Sequence, residues 1–199
     1  MLFLILGLVL FLGIHSVSIV AEQWRDRSMQ RMGENAWKGT YSLVSLAGFV
    51  LIVWGYGEAR MAPVLLYSPP AWLRHVGMLV LLPVFPLVVS VYLPGRIQRG
   101  AKHPLLLATK LWAFAHLLMN GMLADLLLFG GFLIWAVADR ISMKRRTQRP
   151  LPSLPESKIN DVIVVVVGVG IYFVFVKWLH AALIGIPIMP GWRPVAWPL

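Results

Sequence analysis

The sequence predicts an all-α protein, a polytopic transmembrane helical bundle of about six spans with both termini outside. Three observations predict it. Apolar residues make up 59% of the 199 positions and charged residues only 13%, against about 45–50% and about 25% in a soluble domain. The apolar residues gather in runs close to the roughly 20 helical residues that a bilayer core requires. The basic residues fall between those runs and on alternate connections.

The first run is 2–21, LFLILGLVLFLGIHSVSIVA. It has no basic leader and no small-residue cleavage site, so it is expected to stay as a helix rather than to be removed as a signal peptide. The second run, 41–57, contains Ser and Gly but carries no charge. The third is 76–93. The fourth, 104–119, is short and holds Lys110 and His116. The fifth, 122–138, has Asp125 near its start. The sixth, 162–183, opens on VIVVVV, which lipid forces into a helix because an isolated strand would leave its backbone groups unpaired. Asn120-Gly121 is a turn signal, so the fourth and fifth spans form an antiparallel hairpin.

Thirteen basic residues, among them Arg25, Arg31, Arg96, Arg99, Arg145 and Lys158, fall on one set of connections, and three, Arg60, Arg74 and Arg193, on the other. The positive-inside rule makes the first set cytoplasmic. The net charge of +10 therefore belongs to a membrane topology and not to nucleic-acid binding. The whole chain, 1–199, reads as a single membrane domain with a basic, proline-spaced cytoplasmic loop over 140–160. The absence of cysteine excludes disulfides, Cys-ligated zinc, iron–sulfur clusters and a thiolate-ligated or covalent haem.

Ionisable groups within a bilayer are costly and usually face the bundle interior. The candidates are His15, Lys110, His116, Asp125, Lys177 and His180, with His103 at the start of the fourth helix in KHPLLL. His15 reads as an inter-helix hydrogen-bonding residue or as a ligand. Lys110 and His116 are six residues apart and so about 120° apart around one helix. Thr109, His116 and Asn120 share a side. Across the hairpin, Asp125 reaches a depth similar to His116. The pair reads either as a carboxylate orienting a metal-bound imidazole, with Asn120 beside it, or as a plain His–Asp contact between helices. Lys177 and His180 share a face at helical spacing. A b-type haem needs only two imidazoles on different helices and apolar walls such as Trp, Phe and Leu.

The segments GIHSVSIV, RMGENAWKGTYSLVSLAGFVLIVWGYGEAR and AKHPLLLATKLWAFAHLLMNGMLADLLLFGGFLIWAVADR resemble the NnrU family of bacterial membrane proteins. The resemblance runs from about residue 10 to 140, with HAALIGIPIMP extending it. It implies a multi-pass protein of the bacterial inner membrane, linked to denitrification and to nitrite and nitric oxide metabolism. The domain is shared with the 15-cis-ζ-carotene isomerase, a b-type haem protein whose ligand positions resemble His15 in GIHS and His116 in WAFAH. That isomerase has a cysteine three residues before the second histidine. Here the position is Ala113, so a thiolate-dependent ligand switch is not available. The partners implied are the lipid bilayer, nitric oxide or a hydrophobic small molecule, and a respiratory or denitrification membrane complex. Four readings stay open: a haem protein, a membrane isomerase or other lipid-substrate enzyme, an isoprenylcysteine-type methyltransferase, which the Lys-His-Pro turn at His103 resembles, and a non-enzymatic accessory factor. By this topology His15 lies toward the cytoplasmic half and His116 toward the outer half. One iron could join them only through tilted helices or a first span running on to Trp24.

Overall fold

A computed structural model describes residues 1–146 and 153–188. The described residues are helical, with one isolated bridge between Leu65 and Met122 and no strand. Arg149 and Arg193, counted above among the basic residues, lie outside the described residues.

The helices are α1 (Leu2–Val20), α2 (Glu22–Met32), α3 (Glu34–Met61), α4 (Leu73–Leu81), α5 (Val84–Ser90), α6 (Arg96–Ala101), α7 (Pro104–Met119), α8 (Leu123–Ser142), α9 (Lys158–Val174) and α10 (His180–Ile184). A π-helical turn, Phe175–Leu179, joins the last two. Among the described residues, four stretches are long and apolar enough to cross a membrane: Leu2–Val20, Glu34–Met61, Leu73–Ser90 and Lys158–Ile184. α7 is apolar but has only 16 residues. α8 has 20 residues but carries Asp125, Asp139 and Arg140. α7 covers the fourth expected run end to end. The second run lies inside a longer helix, because the polar ENAWKGT segment continues the same winding. The third is broken at Leu82–Pro83, where the proline lacks the N–H that would continue the ladder. Two connections expected as loops, 22–32 and 96–101, are helical.

The chain packs as two compact units. Unit 1 comprises Met1–Met78 and Thr109–Pro150, and unit 2 comprises Leu79–Ala108 and Leu151–Leu199.

In unit 1, α1 and α3 pack backbone to backbone along glycines. A Cβ on Gly55 would stand 2.1 Å from the amide nitrogen of Leu4, and one on Gly48 2.7 Å from that of Phe11. On the facing helix, a Cβ on Gly7 would stand 2.6 Å from the Ile52 nitrogen. Small residues at such seams let helices associate in lipid, where apolar side chains gain little by leaving the tails. Leu4, Ile52, Ala59, Ala113, Ala124, Leu128 and Phe129 form the core of this unit. Gly33, at φ 85, separates α2 from α3 in a conformation that favours glycine.

In unit 2, α5 and α9 meet closely, since a Cβ on Gly168 would stand 2.4 Å from the Pro86 nitrogen. The start of α9 is tied to the chain around α6. Asp161 accepts the N–H groups of Arg96 and Ile97 at 3.0 and 3.1 Å. Asn160 donates to the carbonyls of Pro94 and Pro155 at 2.8 and 3.0 Å. Arg99 pairs with Glu156.

Candidate functional site

His15 and His116 both belong to unit 1, and each sits half-buried in its own shell of rings. His15 Nδ1 lies 2.6 Å from the carbonyl oxygen of Phe11, one turn earlier on α1. A carbonyl only accepts, so Nδ1 carries the proton and Nε2 keeps its lone pair. The ring stacks on Phe11 at 4.3 Å, with Tyr41 at 5.1 Å and the edge of Trp135 at 6.0 Å. His116 repeats the arrangement on α7. Its Nδ1 lies 2.8 Å from the Trp112 carbonyl, and its ring lies flat on Phe129 at 4.4 Å with Trp112 at 5.3 Å. An imidazole held in this tautomer by a second partner is preset for ligation through Nε2.

The two shells are linked through aromatic rings. Phe11 contacts Phe132 at 5.7 Å, and Phe132 contacts Trp112 at 5.5 Å. Three rings, Phe11, Phe132 and Trp112, therefore connect the two shells. Each alone fits a single axial position, with a fixed tautomer and apolar walls. α1 ends at Val20 and Ala21 turns the chain at φ −143, so the first span does not run on to Trp24 and His15 is not recentred. Among the described residues, no group of three or more His, Asp or Glu is placed to hold a bare metal ion.

Asp125 is fully buried. Its Oδ1 accepts from the Tyr56 hydroxyl at 2.6 Å, and its Oδ2 accepts from the Met122 N–H at 3.0 Å. The carboxylate thus caps α8 and ties it to α3, while a backbone carbonyl orients the His116 ring. Arg60 lies over the Tyr56 ring at 5.8 Å, one turn along α3. Asn120 donates through Nδ2 to the His116 carbonyl at 2.9 Å. It therefore supports the helix end carrying His116 and not its ring. The Tyr67 hydroxyl sits between the carbonyls of Leu117 and Asn120, to which it can donate one at a time. Burial, then the charge of Asp125, holds this hydroxyl above the ordinary phenol range and keeps it a donor. Gly121 admits the strap formed by residues 64–67, because a Cβ there would stand 1.9 Å from the Tyr67 carbonyl oxygen.

The other candidates are dispersed. Lys110 is half-buried on α7. His103 and His180 belong to unit 2. His103 follows Lys102, whose φ of 58 turns the chain so that Pro104 can open α7. His180 Nδ1 lies 2.8 Å from the Ile186 carbonyl. The face expected for Lys177 and His180 is interrupted, because the π-helical turn changes the rotation per residue between them. Lys177 lies instead over its neighbour Trp178 at 4.4 Å.

Sequence reasoning missed a second polar cluster. Asp139, on α8, pairs with Arg146 at 2.6 Å, their side chains 10% and 14% exposed. Trp135, four residues before Asp139, presents a buried indole N–H without a hydrogen-bond partner among the described residues. The signal was available. Asp125 and Asp139 are fourteen residues apart, about 40° on a helix, and so share one face. Two acids on one face of an apolar helix mark an inward face. Tyr56 could not be found this way, since only the packing of α3 against α8 brings it to Asp125.

No curated protein and no solved structure matches this chain. The sequence profile described as NnrU protein matches residues 3–188, nearly the whole chain, and the chain belongs to the NnrU family.

Proposed function

We propose that this protein is a haem-carrying integral membrane protein of the bacterial inner membrane, serving nitrite and nitric oxide metabolism. In this reading both termini lie outside, and α7 and α8 cross the bilayer with the four longer apolar stretches. The observation that supports the cofactor is the shared posture of His15 and His116. Each gives Nδ1–H to a carbonyl one turn back, the kind of second partner that orients a metal-bound imidazole. In this reading one of the two histidines would hold the iron. A haem held by one histidine keeps an open coordination position where a diatomic gas binds. The aromatic walls of either shell exclude water from that side, as a haem pocket requires.

The test is the absorption spectrum of the detergent-purified chain, expressed with haem supplementation, oxidised and then dithionite-reduced, with and without nitric oxide. A Soret band that shifts with nitric oxide is expected. It should be lost in one of the two variants His15→Ala and His116→Ala and kept in His75→Ala. Loss in both variants would mean a shared iron. A colourless preparation would sink the haem reading and leave the accessory-factor reading in its place.

A further inference from the structure

A cavity of about 900 Å³ opens in unit 2 between α6 and the start of α9. Its wall is held by the backbone. Asp161 accepts the N–H of Arg96 through Oδ2 and the N–H of Ile97 through Oδ1. Gly95 admits that carboxylate, since a Cβ there would stand 2.4 Å from Oδ1. Ser157 caps α9. Its Oγ accepts the Ile159 N–H at 3.4 Å and keeps its own proton to donate.

The cations of the wall outnumber its acids. Arg96, Arg99 and Lys158 stand against Glu156 and Asp161, which leaves one positive charge in surplus. Arg99 is committed to Glu156. The side chains of Arg96 and Lys158 are exposed and make no hydrogen bond or ion pair among the described residues, although the charge of Asp161 reaches Arg96. The place is also a border. Lys158 opens the stretch Lys158–Ile184, which is long and apolar enough to cross a membrane. Ile97 lines the cavity, and Ile159 and Val162 in the first turns of α9 are exposed.

We infer that this cavity holds the phosphate of an anionic membrane phospholipid of the phosphatidylglycerol class. The inference rests on the reading that α9 enters the bilayer here. Arg96 from α6 and Lys158 from α9 donate to the phosphate, and the Ser157 hydroxyl adds a third donor. The exposed apolar residues at the start of α9 meet the acyl chains, a contact that free phosphate cannot use. Both carboxylates are already answered, Asp161 by two N–H groups and Glu156 by Arg99. The ammonium of a zwitterionic headgroup would have to compete with those donors against a surplus of positive charge. Basic residues at the end of a span attract anionic headgroups for the same reason.

Native mass spectrometry of the detergent-purified full chain tests this, with phosphatidylglycerol, phosphatidylcholine, phosphatidylethanolamine and inorganic phosphate titrated separately. Phosphatidylglycerol should be retained about fivefold more tightly than either zwitterionic lipid, the worth of one surplus basic charge at a membrane surface. Arg96→Gln and Lys158→Gln should each neutralise the wall and remove that preference. Both side chains are exposed, and the N–H of Arg96 that Asp161 accepts survives the substitution. Lys144→Gln, the same change of charge at an exposed residue of unit 1, should leave the preference intact. Equal retention of the three lipids by the unaltered protein would overturn the inference. So would an equal effect of Lys144→Gln, or displacement of phosphatidylglycerol by inorganic phosphate at equal concentration. A chain that stays in solution without detergent would overturn the span together with the site, whereas the other outcomes concern the site alone.

Discussion

The Tyr56 hydroxyl donates to the Asp125 carboxylate at 2.6 Å, joining α3 to the first turn of α8. The acid is fully buried and its other oxygen takes the Met122 N–H. Removing the tyrosine oxygen leaves a buried carboxylate one donor short. Tyr56→Phe should cost about 1.5–3 kcal/mol, the range for hydrogen bonds to charged groups. Asp125→Ala should cost more, because it strands the Tyr56 hydroxyl and removes the α8 cap together. Thermal unfolding in detergent, followed by circular dichroism, gives both values. Equal stability of Tyr56→Phe and the parent would show that the hydroxyl is not holding α8.

The α1–α3 seam makes a sharper demand. Gly55 and Gly57 are two residues apart on α3, yet only the first faces the seam. A Cβ on Gly55 would stand 2.1 Å from the Leu4 nitrogen, whereas a Cβ on Gly57 would meet nothing within 4 Å. Gly55→Ala forces two backbones apart and should destabilise by about 1–3 kcal/mol, the usual range for overpacking. Gly57→Ala should instead stabilise by up to about 1 kcal/mol, since alanine is the better helix former and nothing obstructs it. Opposite signs from the same substitution are the expected result. A matched pair of changes would mean that α1 and α3 do not approach as described.

Much of this was legible in the sequence, and the reasons differ by feature. The apolar runs placed α1, α7, and the cores of α3, α8 and α9, because in lipid the helix is the only way to pair an isolated backbone. The turn at Asn120-Gly121 was readable from its dipeptide. The break at Pro83 was also written in the chain, in LLPVFP, although a window of apolar residues passes over it. The candidate site was legible only as a list of residue types. Periodicity places His15 and His116 on their helices but says nothing about the rings of Phe11, Phe132 and Trp112 through which packing links their shells. It also cannot show that Asp125 turns to Tyr56 and Met122, because both contacts depend on how the α7–α8 turn meets α3 and the 64–67 strap.

The Asp139–Arg146 pair allows a test that separates charge from packing. Both side chains are largely buried, and the acid lies on the same face of α8 as Asp125. Taking two charges out of water is expensive, and their attraction repays it only while both are present. Arg146→Met should therefore be severe, about 3–5 kcal/mol, because it leaves Asp139 buried and unpaired. Asp139→Leu should also be destabilising, for the converse reason. The double variant Asp139→Leu/Arg146→Met should recover most of the loss, since no buried charge remains and the residues replacing them are apolar. A double-mutant cycle measured by chemical or thermal unfolding reads the coupling directly. Additive effects of the two substitutions would show that the pair is solvated and contributes as little as a surface ion pair, whereas recovery in the double variant would establish that the two charges are held together inside unit 1.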